Sequence, residues 1–173
     1  MVVWLVGLSG VGKTTVAQHL CDRWRILEPN LVLVDGDEMR SFWGADRDVA
    51  DYSVEARRRN AERMVECCLW LDRQNINVVC AILCMFDDIL LANRERFSNY
   101  FQVDLQASVA TLRERDPKGL YARSQRGDLG PVVGVDIPYS PPSHSDLSLC
   151  TEPGAPKAAE LAEQVLLAAG VRR

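Results

Sequence analysis

The chain of 173 residues lacks any apolar run long enough to cross a bilayer. Its opening, "MVVWLVG", is too short and has no basic start for a secretory leader. Low-complexity tracts and internal repeats are also missing. The cysteines at 21, 67, 68, 80, 84 and 150 form no CxxC pair, and neither His19 nor His144 stands at zinc-site spacing from them. A formal net charge of −4 gives no overall positive field for a nucleic-acid backbone. These absences predict no membrane span, no nucleic-acid partner and no zinc or disulfide scaffold. They fit a cytoplasmic protein whose cysteines pack mostly as small hydrophobes. Local basic clusters such as "ARRRN" (56–60) remain candidate anion sites.

What is present starts with "GLSGVGKTT", Gly7 to Thr15, which fits G-x-x-x-x-G-K-[ST]. It follows the apolar run Val2 to Val6, a strand buried on both faces, and precedes helical spacing through Val16, Ala17, Leu20, Cys21 and Trp24. In that context Gly7, Ser9, Gly10, Val11, Gly12, Lys13, Thr14 and Thr15 form a phosphate loop. Its backbone N–H groups turn toward phosphate oxygens at the positive end of a helix. Lys13 is expected to reach the outer phosphates of ATP, and the Thr14 hydroxyl to hold Mg2+.

Further along, "NLVLVDGD" (30–37) reads as a second strand ending in two acids. "SVEARRRNAERMVECCLWLDRQ" (53–74) reads as a long helix with Ser53 as N-cap. "INVVCAIL" (76–83) is a third strand, "FDDILLANRERF" a helix, "YFQVDL" (100–105) a fourth strand and "SVATLRERD" another helix. "DLSLC" (146–150) gives a short fifth strand and the residues after Pro156 a closing helix. Alternating strands and helices predict an α/β, three-layer P-loop kinase fold with a five-stranded parallel sheet, in a single domain. The glycine-, proline- and charge-rich excursion from about 116 to 142 has the length and composition of a lid.

The phosphate loop and the "DGD" acids both fall at carboxyl ends of strands, so one crevice should hold them. A guanine-selecting N-K-x-D is missing, and "DPKG" (116–119) comes too late in the chain to sense a γ-phosphate. The small size, the acidic pair and the late lid favour a small-molecule kinase over a GTP-hydrolysing switch or a motor ATPase. Such an enzyme needs an acid at the acceptor hydroxyl, cations for the transferred group and a cover against water. Asp35 and Asp37 have the spacing for the acids. The same "DGD" spacing also suits a turn followed by a helix N-cap.

The motifs "GLSGVGKTT", "VDGDEMR" (34–40), "DYSVEARRRNAER" (51–63), "RDPKGLYARSQRGDL" (115–129) and "GVDIPYSPP" (134–142) together resemble the adenylylsulfate kinases. Members transfer the γ-phosphate of ATP to the ribose 3′-hydroxyl of adenylylsulfate. The resemblance implies that Asp37 takes or orients the acceptor proton, with Lys13 on the phosphates and Asp35 beside the metal. It implies acceptor contacts at Arg40, Tyr52, Arg57, Asn60, Leu83, Lys118 and Val132, an ATP contact at Arg115, and lid cations at Lys118, Arg123 and Arg126. A homodimer is also implied.

All the departures from the family pattern fall on the acceptor side. "F-T-G-I-D" becomes "VVGVD", so Val132 replaces the phenylalanine that walls the adenine. "I-S-P-Y-R" becomes "LCMFD" (83–87), which puts Cys84 in place of a serine. An aromatic wall contributes roughly 1–3 kcal/mol per stacked base, or about 5- to 150-fold in affinity. The pattern therefore also resembles a capsule-associated branch with cytidine diphosphoramidate kinase activity, whose smaller pyrimidine suits a valine. A non-catalytic nucleotide-binding module is the remaining alternative.

Overall fold

The computed structural model describes residues 1–44, 52–117, 119–126 and 130–171. Its sheet is built from β1 (Val2–Val6), β2 (Leu31–Asp35), β3 (Asn77–Ile82), β4 (Tyr100–Gln106) and β5 (Leu147–Cys150). The order is β2-β3-β1-β4-β5, and every pairing is parallel. Parallel strands expose neither face to water, which is why β1 reads as the unbroken run "VVWLV", buried throughout. The expected five-stranded parallel sheet is thus observed, with strand limits within two residues of those read from the apolar runs.

Side-chain alternation divides the core in two. Val3, Leu5, Val103 and Leu105 face α1 (Lys13–Leu27) and the closing helix (Ala158–Ala168). Val2, Trp4, Val6 and Cys80 face the long helix α3 (Val54–Asp72) and α4 (Asp87–Arg96). Sheet and helices thus form three layers. Ser53 caps α3 as expected, its Oγ accepting from the Ala56 N–H at 3.2 Å.

Two short helices lie where extended or irregular chain was expected. One, α2 (Gly36–Phe42), follows β2 directly, so Asp37 sits in its first turn and not on the strand. The helix α5 (Val109–Arg115) is followed by α6 (Leu120–Gln125) inside the predicted lid. The last element, Ala158–Ala168, is α7. Cys21, Cys68, Cys80 and Cys84 are buried, Cys67 is intermediate and Cys150 is exposed. No helix among the described residues is long and apolar enough to cross a membrane.

Candidate active site

The turn from β1 into α1 is fixed by Gly7, at φ +147°, where a Cβ would stand 2.4 Å from the Leu105 carbonyl oxygen. No other residue fits that approach. Gly12 then precedes α1 with no side-chain cap, so the first N–H groups of the helix present themselves to the cavity above. Lys13 Nζ arches over the loop and donates to the carbonyls of Gly7 and Leu8, each at 2.9 Å. Val11 is buried against the core and locks the loop from below.

Across the cavity, β2 delivers Asp35, only 4% exposed. One carboxylate oxygen, Oδ1, caps α2 by accepting from Asp37 N–H at 2.9 Å and Glu38 N–H at 3.4 Å. The other, Oδ2, accepts the Thr14 hydroxyl at 2.7 Å. Of the two readings of "DGD", the helix N-cap is therefore realised, by Oδ1. The cap turns α2 so that Asp37, exposed, lines the same cavity as Lys13 and Thr14.

That cavity measures about 570 Å³. It brings together Ser9, Gly10, Gly12, Lys13, Thr14 and Thr15 of the loop with Asp35 and Asp37. Arg40, Tyr52, Arg57, Asn60, Leu83, Arg123 and Val132 also line it. Val133, which stands in place of a family threonine, lines it too, and Gly36, Ala81, Ile82, Pro117 and Leu120, not singled out from sequence, complete the wall. Most of these are apolar or small, and only their position at strand ends or in the lid marks them.

The remaining expected residues lie elsewhere. Gly7 and Val11 support the loop from beneath. Arg115 ties the end of α5 to the segment after β5, donating to the Thr151 carbonyl and, at 3.4 Å, to its hydroxyl. Arg126 is exposed and does not line the cavity. Lys118 lies outside the described residues.

The far end of the cavity is organised around the Tyr52 ring. Arg40 and Arg57 place their guanidinium carbons 5.7 and 5.6 Å from its centroid. Arg57 also donates to the Tyr52 carbonyl at 3.1 Å and to the Pro131 carbonyl at 2.9 Å. It thereby joins α3, the Tyr52 turn and the lid segment that carries Val132. Burial, with the neighbouring Arg40 cation second, lowers the Arg57 pKa from its ordinary value. Gly130 packs against the ring so closely that a Cβ would approach Tyr52 Cβ to 3.1 Å.

Cys84 is 1% exposed, and its Sγ lies 3.8 Å from the Phe86 carbonyl. Burial is the main cause raising its pKa to about 11. It is a packing residue held as the thiol.

A phosphate-binding loop at the end of a central parallel strand, faced by acids on the next crevice wall, defines a P-loop kinase. A family model for adenylylsulphate kinase matches residues 1–150. The chain belongs to the adenylylsulphate kinase family. It is 33% identical over 141 residues to the cytidine diphosphoramidate kinase of Campylobacter jejuni, covering 82% of this chain and 81% of that one. To the bifunctional enzyme CysN/CysC of Xylella fastidiosa it is 34% identical over 172 residues. That match covers 98% of this chain but only 27% of the bifunctional enzyme. Among solved structures, the APS kinase CysC of Mycobacterium tuberculosis in complex with AMPPNP and APS superposes with a TM-score of 0.79 at 28% identity. The superposition covers 96% of this chain and 95% of that one. The chain is an enzyme of the kinase class, transferring phosphate to a hydroxyl.

Proposed function

We propose that the protein phosphorylates the ribose 3′-hydroxyl of adenylylsulfate or a closely similar nucleotide, using ATP. The carrying observation is the shared cavity, with Lys13 and Thr14 on one side and Asp37 and Arg40 on the other. Triphosphate occupies the loop, held by its N–H groups and Lys13. Arg123, which lines the cavity, supplies a cation from the lid side. The acceptor lies against Tyr52, Leu83 and Val132, with Arg40, Arg57 and Asn60 around its charged link and sugar.

In the transfer, the acceptor oxygen forms a bond to the γ-phosphorus as the bond to the β–γ bridging oxygen breaks, releasing ADP. The acceptor proton passes to the Asp37 carboxylate. Thr14 Oγ1 and Asp35 Oδ2, 2.7 Å apart, are hard oxygen donors suited to Mg2+. When bound, that ion neutralises charge on the β- and γ-phosphates. Lys13 holds the terminal phosphoryl group, and the lid excludes water so that transfer prevails over hydrolysis.

The second reading, cytidine diphosphoramidate as acceptor, is favoured by one feature. Val132, buried at 2% exposure, lines the same cavity as Tyr52, and in this reading a base seated there meets an aromatic face from Tyr52 and none from residue 132. Both readings place the reaction in the cytoplasm, where Mg·ATP is available. A homodimer is inferred from the family resemblance alone. The experiment is a panel of acceptors under coupled ADP detection. A hundredfold preference in kcat/KM for adenylylsulfate over cytidine diphosphoramidate selects the first reading, and the reverse selects the second. ADP release independent of any acceptor refutes both.

A further inference from the structure

The α3/α4 face of the sheet is covered by helices over β2, β3 and β1. The irregular segment 137–145 runs beside β4 as a strap, with Ile137 and Tyr139 packed against the α1 cluster at its start and residues 143–144 tied to α4 and Gln102 at its end. That strap is pinned at its far end. Ser143 donates from its N–H to Asp87 at 3.0 Å, and the His144 carbonyl accepts from Arg94 at 3.0 Å and Gln102 at 2.9 Å. Between strap and strands lies a second cavity of about 370 Å³.

Its chemistry is the reverse of the nucleotide cavity. Asp104, Gln106, Tyr139 and Glu152 supply the main polar groups, Leu8 and Pro141 the apolar ones, and no Lys, Arg or His among the described residues lines it. Asp104 is 2% exposed. Its Oδ2 accepts from Gln106 Nε2 at 2.6 Å, while its buried Oδ1 has no hydrogen-bond partner. The buried Tyr139 hydroxyl also has none. Burial raises the Asp104 pKa, opposed by the Gln106 bond, and burial followed by the Asp104 charge raises that of Tyr139. The two groups are therefore electrostatic neighbours. Glu152 is held in place by the Ser108 N–H at 2.5 Å and by the Thr111 hydroxyl, which keep its carboxylate ionised.

An unpaired buried carboxylate oxygen costs desolvation energy that only a donor recovers, most fully a cationic one. Among the described residues lining the cavity none is cationic, and none donates to Oδ1.

We propose that this cavity is a second ligand site, separate from the nucleotide cavity, which takes a small molecule bearing a primary ammonium group. On binding, the Asp104 and Tyr139 side chains turn their unpartnered oxygens, closed to water in the free protein, to accept from the ammonium N–H groups, with the Glu152 carboxylate adding attraction. Leu8 and Pro141 flank a short alkyl chain. Phosphates and carboxylates are excluded by the two acids. Because Leu8 belongs to the phosphate loop, the occupant touches the loop from behind.

The test uses the full chain, 15N-labelled, titrated with ethylammonium chloride and, separately, with sodium acetate and ethanol. Saturable amide shifts at Leu8, Gln106 and Tyr139 are expected with ethylammonium and not with the controls. In Asp104→Asn the midpoint should rise at least about tenfold, the scale of one charge-assisted hydrogen bond. Equal responses to acetate, no saturation, or an unchanged midpoint in a folded Asp104→Asn overturn the proposal. If Asp104→Asn does not fold, Tyr139→Phe decides: a midpoint raised about threefold or more supports the site, and an unchanged one overturns it.

Discussion

Replacing Asp35 separates two duties that one carboxylate performs. In Asp35→Ala the cap on α2 is lost, at a cost of about 0.5–2 kcal/mol. The bond from the Thr14 hydroxyl to an ionised partner goes with it, at about 1.5–3 kcal/mol. Together these amount to about 2–5 kcal/mol. At about 2–4 °C per kcal/mol for a chain of this size, the melting midpoint should fall by about 4–20 °C. Asp35→Asn keeps an oxygen that can cap Asp37 N–H and a partner for Thr14, so its midpoint should fall by less than about 4 °C. What it cannot keep is the negative charge beside the metal and phosphates. Loss of one such electrostatic group lowers turnover by about 100-fold or more. Calorimetric melts and coupled ADP assays on the same preparations measure the two effects separately. If Asp35→Asn melts as low as Asp35→Ala, the cap is not what holds α2. If it keeps kcat within about threefold of wild type, the charge has no part in transfer.

Other substitutions probe the acceptor end and the thiols. Arg57→Ala loses both carbonyl contacts, to Tyr52 and Pro131, and should raise the acceptor KM about tenfold while leaving that for ATP within about twofold. Equal rises in both would refute its role at the acceptor end. Val132→Phe restores an aromatic wall and should lower the adenylylsulfate KM by about fivefold or more, since stacking adds roughly 1–3 kcal/mol per base. An unchanged KM would show that the slot does not seat the base against residue 132. Burial raises Cys21 and Cys84 from the ordinary 9.0 to about 11. Unfolded chains therefore release these protons first, and stability should fall as pH rises from 9 toward 11. Chemical denaturation at several pH values checks the slope, and a flat or rising profile would contradict it.

How much of this was legible in the sequence follows from what each element rests on. β1 and β3 are continuous apolar runs because both their faces are covered, so periodicity alone found them. The loop was legible because Gly7 and Gly12 answer local backbone demands. By contrast α2 spells "GDEMRSF", begins at glycine and has no apolar stripe. It exists because Asp35 caps it and it packs over the ends of β2 and β3, neither of which periodicity reports. The six-residue α6 was hidden for the same reason, among glycine and proline. The grouping of Arg40 and Arg57 about Tyr52, and the joining of Arg57 to Pro131 across 74 positions, are products of tertiary packing. Asp104 passed as one polar residue within the run "YFQVDL". Only the strap beside β4 shows that its outer oxygen is left without a partner.

The central claim is that a phosphoryl group crosses from triphosphate at Lys13 to a sugar alcohol beside Asp37. The most direct measurement is 31P and proton NMR of the product made with Mg·ATP and either nucleotide acceptor. The account predicts one new phosphomonoester coupled to the ribose 3′ proton, one ADP for each product molecule, and loss of both in Asp37→Ala with ATP binding retained. Inorganic phosphate as the sole phosphorus product besides ADP, or full turnover in Asp37→Ala, would contradict it.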